Sequence, residues 1–212
     1  MKKLLVLSLG ALALVANLTS CKKGENDPFL SLHSRKARIA GEWTVSKKET
    51  TDVSHQNNFG MDYIETTTTT FDGTTETGTS SFVLTSGGTA TSNVLTPSSY
   101  TESYTFEKDG TFTHTTTYST GDKSAQTGTW MFLGKNKDAK LKNKEAITVS
   151  ITSNSYTSGS TTTTSTSTGY DGTVYLIDEL KNKEIVFIEN TSYTDSDNIV
   201  NSSMTKSTLT AK

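Results

Sequence analysis

From residue 41 to the C-terminus, apolar and polar residues alternate with a period of two, and turn residues break the alternation at short, regular intervals. A side chain every second residue on one face is the spacing of a half-buried β-strand, and no helical period competes with it after residue 40. Trp43, Val45 and Lys47 share a face of the first strand. Tyr104 and Phe106 share one before "EKDG", and Phe112, His114, Thr116 and Tyr118 share one after it. Asp109-Gly110 reads as a two-residue hairpin, because both residues tolerate positive φ. Strands follow at "GTWMF", "AITVSI", "TVYLI", "EIVFIE" and "IVNSSMTKSTL", with weaker ones near 61–70 and 80–85. About one residue in five is threonine and only two are proline, a composition suited to strands and not to a proline-rich linker. The expected fold is all-β, an antiparallel up-and-down barrel of about 8–10 strands, with a β-sandwich as the alternative.

In a meander every second connection lies at the same end. From residue 107 one set reads "EKDG", "GKNKDAKLKNKE" and "ELKNKE", and the other "STGDKSAQTG", "SYTSGSTTTTSTSTGYDG" and "YTDSDN". The first set is rich in lysine and flanked by large apolar residues: Phe106, Phe112, Phe132, Leu141, Ile147, Leu180 and Ile185. The second is long and rich in Ser, Thr and Gly. A barrel packed with side chains at one end and open at the other produces that segregation. "MDYIETTTTT" runs against it, since its threonines come last on a strand heading for the charged end. The tracts 66–70 and 161–164 are polar on both faces, so the pattern pins their register weakly.

The N-terminus carries a different signal. Lys2 and Lys3 precede an apolar run from Leu4 to Ala16, which is short of the roughly 20 residues that span a bilayer. Small residues then lead to Cys21, the chain's single cysteine, which has no partner for an internal disulfide. Residues 1–20 read as a signal peptide. Leu18-Thr19-Ser20-Cys21 resembles the lipobox of bacterial lipoproteins, which implies cleavage before Cys21 and acylation of its thiol and amino group. Each buried lipid methylene contributes about 0.8 kcal/mol, so several chains on Cys21 (a palmitate among them) hold a protein on a membrane. Residues 21–36 are then the lipidated tether and short helix, with Leu32, Arg35, Lys36 and Ile39 at helical spacing, and 37–212 the barrel domain. The resemblance places the protein in the bacterial cell envelope. Lys22 stands where an aspartate retains some lipoproteins at the inner membrane, which favours the outer one, on its periplasmic or surface face.

Gly41-Glu42-Trp43 resembles the G-x-W signature of the lipocalins, in which the tryptophan crosses the closed base of the barrel. "YTFEKDGTFT" (104–113), "TGTWMF" (127–132) and "YLIDELKNKEIVFIE" (175–189) are similar to the lipocalin-like domains of small bacterial lipoproteins. The resemblance covers most of residues 37 to 190. The family's arginine from the last strand is missing, leaving Arg38 or Lys206 to stand over Trp43, and only "DGTVY" (171–175) lies near its second motif.

Charge excludes one function class. Twenty basic against 22 acidic residues give −2, and removing Lys2 and Lys3 with the first 20 residues leaves 18 against 22, or −4, so no basic face suits a nucleic acid. His33, His55 and His114 have no metal-ligand spacing. "DSDN" (195–198) lacks the glycine and glutamate of a calcium loop, and no nucleophile elbow or phosphate loop occurs. The reading is therefore a non-enzymatic monomer without metal or cofactor. It would bind a small apolar or amphipathic ligand over Trp43, Tyr104, Phe106, Phe112, His114, Trp130 and Phe132, or, alternatively, be a surface-display lipoprotein with a filled barrel. Replacing Cys21 with serine is expected to abolish incorporation of labelled palmitate and move the protein from the membrane pellet to the soluble fraction.

Overall fold

The computed structural model describes residues 35–58, 61–84, 91–135, 145–167, 172–194 and 199–212. The signal segment, Cys21, His33, Leu141 and "DSDN" lie outside the described residues. A five-residue helix, α1 (Arg35–Ile39), leads into twelve strands. These are β1 (Gly41–Asn58), β2 (Met61–Phe71), β3 (Thr75–Leu84), β4 (Thr91–Val94), β5 (Ser98–Phe106) and β6 (Thr111–Tyr118), then β7 (Lys123–Lys135), β8 (Glu145–Ser158), β9 (Thr161–Thr166), β10 (Gly172–Leu180), β11 (Glu184–Thr194) and β12 (Val200–Ala211).

Every pairing is antiparallel, and the strands close on themselves into a barrel. Two staves are interrupted: β4 and β5 run in succession along the same edge of β3, and β9 and β10 do so along β8. Twelve strands therefore make a ring of ten. At its base the ring narrows to eight, because Gly41–Thr44 of β1 pairs directly with Phe106–Ser103 of β5. Only from Lys48 outward does the β2–β3 hairpin stand between them.

That insertion accounts for the strand that defied the segregation. The threonines of β2 end level with Lys48, where Phe71 is its partner, and never reach the base. Thr67 and Thr69 face the interior with Phe71, while Thr66, Thr68 and Thr70 face outward, where Thr70 bonds Thr77 across the strands at 3.2 Å.

The base is packed. Ile39, Trp43, Val45, Phe106, Phe112, Trp130, Ile147, Leu180, Ile185, Phe187 and Leu209 are all buried in one cluster. Phe106 sits at its centre, with ring centroids 5.3 Å from Phe112, 5.4 Å from Trp130 and 6.0 Å from Phe187, in the tilted and edge arrangements that aromatic quadrupoles favour. Both tryptophans satisfy their indole N–H on backbone at this end. Trp43 donates to Ile39 O at 2.8 Å, tying α1 to the barrel, and Trp130 donates to Glu107 O at 2.9 Å, tying down the β5–β6 turn. Turns 107–110 and 181–183 lie at the base, and turns 119–122 and 159–160 at the far end, so among the described residues the lysine-bearing and hydroxyl-bearing turns occupy opposite poles.

Two local readings are corrected. A bulge between Val45 and Lys47 inserts one residue and flips the alternation beyond it. Lys47 turns outward to pair with Glu49 at 2.7 Å, and Lys48 turns in. Asp109-Gly110 is not the whole turn: Gly110 N donates to Glu107 O at 3.0 Å, which makes Lys108-Asp109 the central pair, and Gly110 alone takes the left-handed φ of 101° that returns the chain. The Asp109 carboxylate caps the turn by accepting from Thr111 N at 2.8 Å. Of the arginine substitutes, Arg38 is buried beside the base and donates to Leu180 O at 2.6 Å, whereas Lys206 pairs with Asp178 at 3.0 Å.

β7 bends against β8 at Gly128, where a Cβ would sit 1.9 Å from Ser150 O. Backbone cannot yield at that distance without breaking the ladder. Gly128→Ala is expected to lower stability by about 2–4 kcal/mol in urea melts. Gly121→Ala, whose Cβ meets nothing within 4 Å, carries only the strain of its φ of 90° and should cost less.

Candidate functional site

Of the seven residues expected to line a ligand cavity, Trp43, Tyr104, Phe106, Phe112 and Trp130 are buried in the core, and Phe132 packs against it. They fill the closed end instead of walling a space there, because eight staves leave an interior just wide enough for side chains. His114, like Phe132, is half-buried. It stacks 4.4 Å above Tyr104 and marks where the interior changes character.

Above the aromatic floor lies a charged, hydrogen-bonded layer. Glu102 of β5 is 5% exposed and accepts from three sides: Lys48 Nζ at 2.7 Å, His114 Nε2 at 2.9 Å and the Tyr104 hydroxyl at 2.9 Å. His114 Nδ1 lies 3.1 Å from Gln126 Oε1, and Gln126 Nε2 donates to Asn154 Oδ1 at 3.0 Å. With the Gln126 amide oriented this way, both ring nitrogens of His114 face acceptor oxygens. The network thus runs across β1, β5, β6, β7 and β8. Lys48 also lies 5.3 Å from the Tyr100 ring and 5.7 Å from Phe71, which stack on each other at 4.4 Å.

Burial alone would push the Glu102 carboxyl upward. The hydrogen bonds and positive charges of His114 and Lys48 outweigh it and hold the group down at about 2. Burial dominates for Tyr104 and Tyr175, whose hydroxyls are raised well above the usual range, so both remain neutral donors. Glu189 of β11 is also raised by burial, against the opposing pull of His114 and Lys48. This chemistry is electrostatic and structural. Among the described residues no group of three or more His, Cys, Asp or Glu side chains is placed to hold a metal ion.

Two concavities open beyond this layer, at the hydroxyl-rich end. One, of about 340 Å³, is lined by Asp52, Ser54, Glu65, Thr67, Thr191, Tyr193 and Asn201, from the far parts of β1, β2, β11 and β12. Ser80 holds Glu65 there with a 2.9 Å hydrogen bond. The other, of about 390 Å³, is lined by Pro97, Ser98, Ser99, Tyr118, Ser119, Thr120, Asp122 and Tyr156. The wall of the larger is mainly polar, whereas that of the smaller mixes polar groups with a greater share of apolar surface, and tyrosine rings stand in both.

Lys48, Glu102, Asp122, Tyr156 and Tyr193 are the residues that motif reading passed over. One signal was present: in "YTESYTF" a glutamate, Glu102, alternates with Tyr100, Tyr104 and Phe106 on the apolar face, a placement that demands buried partners. Lys48 gave no such sign, because only the bulge turns it inward.

The depressed Glu102 carboxyl sets an acid limit. Its contribution is complete above its ordinary value of 4.5 and is lost as pH falls from there toward about 2. Over that interval wild type should lose on the order of 3 kcal/mol to this group. Glu102→Gln is expected to be less stable at pH 7, by about 3–5 kcal/mol for a buried ion pair with Lys48 broken at one partner, and to show a flatter decline below pH 4.5. Urea melts from pH 7 to pH 2 measure both. In comparisons with known proteins, no family model and no curated protein matches the chain. It is similar to the crystal structure of Rv2717c from M. tuberculosis, at 11% identity over 86% of this chain and 99% of that one, with a TM-score of 0.25, a likeness too slight to carry an argument.

Proposed function

We propose that the chain is a lipid-anchored lipoprotein of the bacterial cell envelope, held through Cys21 at the outer membrane, whose lipocalin-like barrel is a non-enzymatic binding module. It takes one small amphipathic or polar molecule at the hydroxyl-rich mouth and works as a monomer without cofactor. The carrying observation is the division of the interior: an aromatic floor and a charged layer close one end, and concavities of about 340 and 390 Å³ with converging polar groups open at the other. Volumes of that order suit small ligands, and the carboxylates and hydroxyls among their lining residues argue against a wholly apolar one. Residues 21–36, the lipidated tether and short helix, would join the anchor to the barrel.

The filled base favours a second reading, a display lipoprotein that presents its threonine-rich surface to a partner and holds no ligand. Mass spectrometry under native conditions separates the two, using the full chain released from its host's membranes in detergent. A co-purifying species of constant mass, lost on denaturation, is the expected result. Its absence, with no mass shift on incubation with lipid and metabolite extracts, would leave display as the function.

A further inference from the structure

The larger mouth cavity has features that narrow the chemistry of its ligand. Tyr118 closes β6 on the same face as Phe112 and His114, and Tyr156 of β8 lies on the face of Asn154, which bonds Gln126 inside the barrel. Both rings are exposed, at 37% and 47%. They flank the 119–122 turn, from which Asp122 projects.

That turn is held rigidly. Ser119 N donates to Ser99 O at 3.0 Å, Tyr118 N to Asp122 O at 2.9 Å and Gly121 N to Tyr118 O at 2.9 Å, with Gly121 at a φ of 90°. The Asp122 carboxylate accepts from the Thr120 hydroxyl at 3.0 Å, and hydrogen bonds from Ser158, Thr120 and Tyr156 keep it ionised below its ordinary range. Tyr118 is backed by Tyr100, 6.1 Å away, which is itself stacked on Phe71. Little order remains to be lost on binding.

Resting on the binding-module reading, we propose that this cavity is a saccharide site in which Tyr118 and Tyr156 stack on the C–H faces of a neutral sugar ring while Asp122 and the flanking serine hydroxyls bond its hydroxyls. A pyranose has apolar faces and a hydroxyl edge, which matches flat rings with polar groups between them. None of the lining residues is cationic, so an anion would meet Asp122 unopposed. An alkyl chain would shut the Asp122 carboxylate and the hydroxyls of Ser98 and Ser119 away from water and offer them nothing in return. One carboxylate is too few for a hard metal ion. The volume of about 390 Å³ accommodates a single ring.

The full chain in a sugar-free detergent is titrated with glucose, galactose, mannose and N-acetylglucosamine, with a short oligomer of each, and with choline as a cationic comparison. Nuclear magnetic resonance follows the tyrosine rings and the amides of 98–99 and 118–122. At least one saccharide is expected to saturate with shifts confined to those positions and 156. Tyr118→Ala and Tyr156→Ala should each weaken it about tenfold, and Tyr118→Phe, which keeps the ring and the fold, by no more than about threefold. No shift at these positions with any saccharide overturns the proposal, as does binding indifferent to both alanine variants with their melts unchanged, or choline binding more tightly here. A host lipid or metabolite bound elsewhere in the mouth, with no sugar bound, would sink the saccharide site while leaving the binding module standing.

Discussion

Four residue pairs, Gly41↔Phe106 through Thr44↔Ser103, bring the first strand onto the fifth and close the ring. The rest of the structure depends on that seam. It reduces the base to eight staves, the circumference that side chains can fill, and it forces the β2–β3 hairpin outward as an insert at the rim. Trp43 sits within the seam, so one residue both packs into the floor and, through its bond to Ile39, anchors the helix beside it.

Above the floor the interior becomes polar without becoming unsatisfied. Glu102 is affordable inside the barrel because three donors from three strands converge on it. The layer has a geometric effect as well. It pins β1, β5, β6, β7 and β8 to one another at mid-height, where the β10–β11 ladder has only Leu176–Leu180 in register and the β3–β5 ladder only Thr75 and Glu76. The mouth is thus built of long paired wings standing on a rigid waist, and its tyrosines and carboxylates project from fixed positions.

The surface threonines fit the same scheme. On β2 and β3 Thr68 faces Thr79 and Thr70 faces Thr77 across the ladder, the latter pair hydrogen-bonded, so they stabilise strands that have little core to cover. β9, exposed at every residue, continues β10 along the edge of β8 in the same chemistry. Hydroxyl-bearing β-branched side chains let strands extend past the core without presenting an apolar face.

Much of the barrel was legible in the sequence, because period-two alternation and segregated turns are local properties: the all-β class, the aromatic floor and the two poles all follow from them. The bulge at Ser46 was not, since nothing in "WTVSKK" distinguishes an inserted residue from a continued strand, and with it went Lys48's place inside. The β1–β5 seam was not legible either, because it joins segments some sixty residues apart through backbone bonds that carry no side-chain signature. The aromatic residues could be assigned to the interior from their alternation alone, but whether they line a space or fill it depends on how many staves close the ring. That number is set by pairing across the whole chain, and so by the tertiary structure.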